Sequence, residues 1–270
     1  MTKQDKVFAG SIPQFYDALM VPLIFQDYAI DLAALVAASS PDTVLETAAG
    51  SGVVTRLLAP RLRADACYVV TDLNQPMLDY AASRQGADTR IAWRQADAQK
   101  LPFQDAAFDV VCCQFGAMFF PDRVAGYAEA RRVLKPGGRF VFNVWDRIEE
   151  NAFAAAVTQA LATLVPHDPP LFLARTPHGY HASALIREDL QRAGFSDIAI
   201  ETSEKLSRAP SAREAATAYC QGTLLRNEIE ARNASSLQTA TDCAAAAIAS
   251  RHGVGPVAGK IQAHVIVARG

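Results

Sequence analysis

The chain has 270 residues, half of them apolar and a fifth charged, enough to bury one large core without a second independent domain. Its 26 Lys plus Arg against 28 Asp plus Glu give no electrostatic footprint for nucleic acid. No uninterrupted apolar run approaches the ~18 residues of a membrane span, and residues 1–6 lack the apolar stretch of a signal peptide, so a cytoplasmic protein is expected. The cysteines Cys67, Cys112, Cys113, Cys220 and Cys243 form no CxxC pair. Cys112 and Cys113 would point to opposite faces of a strand, which reads as buried thiols in a reducing compartment rather than a metal site.

In chain order, residues 11–17 carry Pro13, Phe15, Tyr16 and Asp17 ahead of Pro22. Beyond Pro22, Phe25, Tyr28, Ala29, Leu32, Leu35 and Val36 recur at the spacing of a helix with one buried face. Residues 44–55 then read as a short strand, a small-residue turn with Gly50 and Gly52, and an amphipathic helix. A second strand, residues 67–72, ends in Asp72 about 20 residues after the glycines, where a doubly wound fold places the acid that meets a ribose. Residues 75–84 form a helix carrying Met77, Leu78 and Ala81. A third strand at 90–94 runs into Asp97-Ala98, and a fourth at 108–113 runs into Gln114-Phe115. Asp122 caps a helix over 122–134, and Pro136-Gly137-Gly138 turns the chain into a fifth strand at 139–145.

The second half is predicted to begin with a helix whose stripe is Phe153, Ala156, Val157, Ala160, Leu161 and Leu164. A proline- and histidine-rich loop follows, with His167, His178, Tyr180 and His181. Residues 183–193 form a helix ending at Gly194, and residues 198–206 form strand six. Ser211 and Glu214 make a capping box for a helix to about Arg232, and Ser235–Gln238 offers a second before an alanine-rich helix ending near Arg251. Strand seven is residues 261–268. The alternation of strands and helices predicts an α/β, doubly wound, mostly parallel sheet. The organisation expected is one domain: a lid and leading helix over 1–40, a core over 41–146, a substrate-side segment over 147–210, a helical cap over 211–256 and a last strand over 257–270.

These ordered motifs over residues 40–146 resemble the class I S-adenosylmethionine-dependent methyltransferases, in the small-molecule branch that includes quinone-biosynthesis enzymes. The resemblance implies seven strands in the order 3-2-1-4-5-7-6 with the last antiparallel, and S-adenosylmethionine across the carboxyl ends of the first strands. It implies cofactor contacts from Glu46 to the amino group, from Ala48, Gly50 and Gly52 along the methionine and ribose, and from Asp72, with Leu73 beside it, to the ribose hydroxyls. Asp97 and Ala98 would meet the adenine, and the backbone of Gln114 and Phe115 the methionine amino end. Tyr16 would belong to a lid; Tyr16, Phe119, Tyr180 and the 167–181 loop would line an apolar chamber for a small-molecule methyl acceptor.

Methyl transfer from a sulfonium needs alignment more than covalent help. No catalytic residue is assigned; His178 and His181, beside Tyr180, are the candidates where a hydroxyl acceptor needs a base. Asp72→Ala is expected to weaken the cofactor while sparing the fold, since a strand-end residue facing a ligand packs against little. Ala48 and Ala49 stand where the family usually has glycine, and the cap between the last two strands departs from the family's short connection. An NAD-dependent dehydrogenase would want a third glycine at Thr55 and gives no reason for Asp97-Ala98. A catalytically silent cofactor-binding or regulatory module is the other alternative, and the acceptor and oligomeric state stay open.

Overall fold

In the computed structural model, residues 12–232 and 237–270 are described. Seven strands, β1 (Thr43–Glu46), β2 (Cys67–Asp72), β3 (Ile91–Gln95), β4 (Phe108–Gln114), β5 (Leu134–Trp145), β6 (Asp197–Ala209) and β7 (Val257–Arg269), lie in the order 3-2-1-4-5-7-6. The pairs β1–β2, β1–β4, β2–β3 and β4–β5 are parallel. β6 and β7 run antiparallel: Ser196 meets Arg269, Thr202 bonds to His264, and Glu204 pairs with Lys260, so one number rises as the other falls. This is the predicted α/β sheet.

Strand limits differ from expectation at the polar end of the chain. β6 and β7 both extend beyond the apolar residues that announced them, because β6 carries exposed charged and polar residues along most of its length. Pairing, not hydrophobicity, keeps such residues in a strand. β5 begins at Leu134, which pairs with Phe108 before a register shift.

The chain groups into two compact units. The first comprises Asp27–Val144, His181–Ser203 and Ala263–Gly270. It contains helices Gln26–Ala37 (from Asp27), Val53–Leu58, Gln75–Gln85, Arg123–Val133 and Ser183–Arg192. Phe140 and Phe142 stack at 4.6 Å, with Tyr127 5.3 Å from Phe142, in its core. Asp122 caps Arg123–Val133 by accepting the Ala125 N–H at 2.9 Å, as its position before an apolar stripe predicts. At the opposite end of the sheet Asp109 accepts from the Thr43 N–H and Lys135 Nζ, pinning the start of β1 beside β4 and β5.

Of the described residues, the second unit comprises 12–26, Trp145–Tyr180 and those within Glu204–Gln262. Helix Ala212–Gln221 packs on Leu237–His252, on Ala152–Leu164 and on the π-helical stretch Tyr16–Phe25, which contains Pro22. The inserted helices therefore share a core with segments from both earlier parts of the chain. The capping box at Ser211 forms, with Ser211 Oγ accepting the Glu214 N–H at 3.1 Å. The helix expected to continue to Arg232 breaks instead after Gln221 and resumes as Leu225–Glu230. At the break, Thr223 Oγ1 donates to Tyr219 O and accepts from the Leu225 N–H. A side chain at Gly222 would meet Ala218 O at 2.7 Å. The second predicted box, with Ser235, lies outside the described residues.

By length and composition the helical run Tyr16–Ala37 would suffice to cross a membrane. It is a core element by burial: Met20, Leu23, Phe25, Tyr28, Ala29, Leu32 and Val36 are all buried, and Leu35 is half-buried.

Candidate functional site

The strand ends β1, β2, β3 and β4 carry most of the expected cofactor residues. After β1 the chain enters its turn with three left-handed residues, Ala48 (φ 52°), Gly50 (φ 58°) and Gly52 (φ 80°). The Ala49 N–H bonds to Thr71 O, and the Thr47 N–H to Cys112 O, so the turn is tied to both neighbouring strands. Glycine is required twice over at 52: its φ is positive, and a Cβ would lie 2.9 Å from the Ala81 Cβ.

Asp72 sits at the end of β2 as predicted, but it does more than face a ligand. Its Oδ2 accepts the Gly50 N–H at 2.9 Å and its Oδ1 accepts the Asn74 N–H at 2.7 Å. The residue is 6% exposed; burial raises its pKa, opposed by the bonds from Asn74 and Gly50. This corrects the expectation that the fold is indifferent to Asp72: its carboxylate holds the glycine turn. A carboxylate offers about four lone-pair directions, so capacity remains for vicinal hydroxyls. Leu73 beside it is exposed, and Gln95 Nε2 donates to its carbonyl.

Glu46, expected to reach the amino group directly or through water, is engaged by two protein hydroxyls. It is 1% exposed, and its Oε2 accepts both the Thr55 hydroxyl at 2.7 Å and the Tyr68 hydroxyl. Burial pushes its pKa up to about 7 against those two bonds, which lower it. Thr55, the residue that stands where a dinucleotide fingerprint has its third glycine, thus has its own task of holding Glu46.

The β3 end is brought beside β2 by the Ala96 N–H, which bonds to Asp72 O at 3.0 Å. Asp97 is exposed, and its Oδ1 accepts from the Gln99 N–H and Nε2; Ala98 is half-buried. After β4, Gln114 leads into Phe115, whose φ of 49° is left-handed and whose ring meets Tyr28 edge-on at 5.5 Å. The Phe115 N–H is already spent on Asn143, which accepts it through O at 3.2 Å and Oδ1 at 2.9 Å. A Cβ on Gly116 would lie 2.5 Å from the Ala48 Cβ and 2.7 Å from Cys113 Sγ, so the β1 and β4 turns are in close contact. Cys112 and Cys113 are both fully buried, and burial pushes the Cys113 thiol up to about 11.

The acceptor-side candidates divide between the two units. In the helical unit Tyr16 stacks on Phe25 at 5.0 Å, Phe25 lies 5.9 Å from Trp145, and Trp145 lies 5.9 Å from the His178 ring. Phe25 and Trp145 link two residues that sequence reasoning singled out separately. His178 is 6% exposed, and its Nδ1 bonds to Asp146 O at 2.8 Å. A carbonyl can only accept, so Nδ1 carries the proton and Nε2 is the basic nitrogen. Tyr180 is buried and His167 exposed. In the sheet unit His181 and Phe119 are half-buried.

A mostly parallel sheet in this order, with glycine turn and acid at successive strand ends, defines an α/β protein of the nucleotide-cofactor type. The family described as "Methyltransferase domain" matches residues 45–142. A demethylmenaquinone methyltransferase of Mycobacterium sp. is 32% identical over 166 residues, 58% of this chain and 69% of that protein. A demethylmenaquinone methyltransferase of Deinococcus radiodurans is 38% identical over 152 residues, 52% of this chain and 61% of that protein, so the chain spans less than two thirds of it. The solved YcgJ protein from Bacillus subtilis shares the fold, with a TM-score of 0.56 at 18% identity, over 89% of this chain and 99% of that one. The chain belongs to the class I S-adenosylmethionine-dependent methyltransferase family.

Proposed function

We propose that this chain transfers a methyl group from S-adenosylmethionine to a small-molecule acceptor. The observation that carries the reading is the Asp72–Gly50 bond, which joins a buried carboxylate to a left-handed glycine turn at the ends of β2 and β1. The residues fit the cofactor. Asp72 keeps acceptor capacity for the ribose diol, Leu73 offers an exposed apolar surface for a base, and Asp97 and Ala98 follow at the adjacent strand end.

When bound, S-adenosylmethionine supplies a methyl group already activated on a sulfonium. The protein's part is then binding and orientation, which can contribute ~7–11 kcal/mol in well-aligned reactions. A carbon or nitrogen acceptor needs no dedicated base in this reading. For a hydroxyl acceptor His178 is the candidate, since its Asp146 contact fixes Nε2 as the basic nitrogen. The relatives are named as demethylmenaquinone methyltransferases, which supports quinol-like phenols as the first acceptors to try.

The test is calorimetric titration with S-adenosylhomocysteine, followed by transfer of labelled methyl from S-adenosylmethionine to quinol, phenol and amine acceptors. Cofactor binding with label in an extracted product is expected. Absence of S-adenosylhomocysteine binding to folded protein would overturn the cofactor assignment; binding without transfer to any acceptor would favour a non-catalytic module.

A further inference from the structure

The turn after β4 is held by a residue that no motif singles out. Phe115 adopts a left-handed φ of 49°, a conformation that is unfavourable for an L-residue with a Cβ. Such residues persist where their surroundings over-determine them, and they gather at ligand sites. Here the determinant is Asn143 at the end of β5, in register with Gln114 and 1% exposed. Both its backbone oxygen and its Oδ1 accept the same Phe115 N–H.

That arrangement fixes the side-chain amide, because an N–H can be met only by oxygen. It leaves Asn143 Nδ2 buried with no hydrogen-bond partner among the described residues. A buried donor without a partner forfeits its hydration with nothing in return. An apolar residue, like the neighbours Val141 and Val144, would avoid that cost, so the oxygen has a use that outweighs the nitrogen. From the other side the turn is wedged by Gly116 against Ala48 and Cys113, which leaves it little freedom to shift.

We propose that Asn143 is a positioning residue for cofactor binding. It holds Phe115 in the left-handed conformation and so aims the carbonyls of the 114–116 turn at the amino group of the cofactor's methionine end. The proposal rests on the methyltransferase reading above, and it assigns to Asn143 a selective effect: the amino-acid end of the ligand depends on it and the adenosine end does not.

The experiment compares two probes on wild-type and Asn143→Ala protein by calorimetry. S-adenosylhomocysteine carries the amino-acid end; 5′-methylthioadenosine has the adenosine and sulfur without it. Asn143→Ala is expected to weaken S-adenosylhomocysteine about tenfold and to leave 5′-methylthioadenosine within about twofold, using ~1.4 kcal/mol per decade for one lost alignment. Equal weakening of both probes marks a merely structural role and overturns the proposal, as does no change in either. Failure of the wild-type chain to bind S-adenosylhomocysteine overturns the methyltransferase reading and this inference together. If Asn143→Ala does not fold, Asn143→Ser is measured with the same pair of probes and read by the same outcomes.

Discussion

The strand-end turns and the helical unit reach a fixed geometry by different means. At the turns, backbone does the work: Ala48, Gly50, Gly52 and Phe115 take left-handed dihedrals, and N–H groups are anchored by Asp72 and Asn143. In the helical unit, side-chain packing does it, through Ala212–Gln221, Leu237–His252, Ala152–Leu164 and Tyr16–Phe25. Backbone geometry tolerates few residue types, whereas packed helices accept any set of similar volume. A family can therefore keep the first and vary the second, and the methyltransferase-domain match, residues 45–142, lies within the sheet unit.

The largest expected effect tests whether the turn region stands on its buried acid. Glu46 has a folded-state pKa of about 7 against 4.5 when exposed, so the folded state binds the extra proton between those values. Stability should fall as pH rises from about 4.5 to about 7, by about 3 kcal/mol in all, and level off above. Glu46→Gln should abolish that slope while keeping an oxygen for Thr55 and Tyr68. Urea unfolding at pH 5, 6, 7 and 8 measures both proteins; parallel slopes would show that Glu46 is not the titrating group.

Asp72→Ala comes next, at roughly 10- to 100-fold in S-adenosylhomocysteine affinity. Because Asp72 also accepts from Gly50 and Asn74, the variant should lose stability as well, unlike a residue that only lines a pocket. Thermal unfolding alongside titration separates the two losses. Unchanged affinity in folded protein would remove the support for a ribose contact there.

On the helical side, Ser211→Ala removes the cap of Ala212–Gln221 and should cost about 1 kcal/mol of stability. Cofactor affinity should stay within about twofold if the two regions are as separable as their construction implies. A tenfold drop would break the comparison. The smallest effect is expected from Ala48→Gly, which relieves a left-handed alanine at the cost of chain entropy and its contact with Gly116. A net gain near 0.5 kcal/mol would show that the alanine is tolerated rather than selected for stability.

What could be read from the sequence follows the same division. Asp72, Gly52, Asp122 and Ser211 were legible because each is defined by its distance from a strand or helix end. Tyr68 and Thr55 as holders of Glu46, and Asn143 as holder of Phe115, were not, because each bond is a side-chain contact between different elements that no motif spacing announces. The one available signal for Asn143 was an amide interrupting the apolar run from Phe140 to Trp145. The break at Gly222 was hidden by an apolar pattern that continues on both sides of it. Burial of His178 and Tyr180 could not be inferred from a loop rich in proline, where periodicity carries no information.

The insertion between β6 and β7 also lengthens the closure of the antiparallel edge. β1 meets β2 close by in the chain and β4 only much further on, and Glu204 meets Lys260 across the long connection formed by residues 210–256. Closing so long a connection costs about 2 kcal/mol more than closing a hairpin of about four residues, unless its helices form first. Helices Ala212–Gln221 and Leu237–His252 pack on each other, and that pairing brings the ends of the connection together. The helical pairing thus offsets part of the closure entropy that the antiparallel edge of the sheet would otherwise carry.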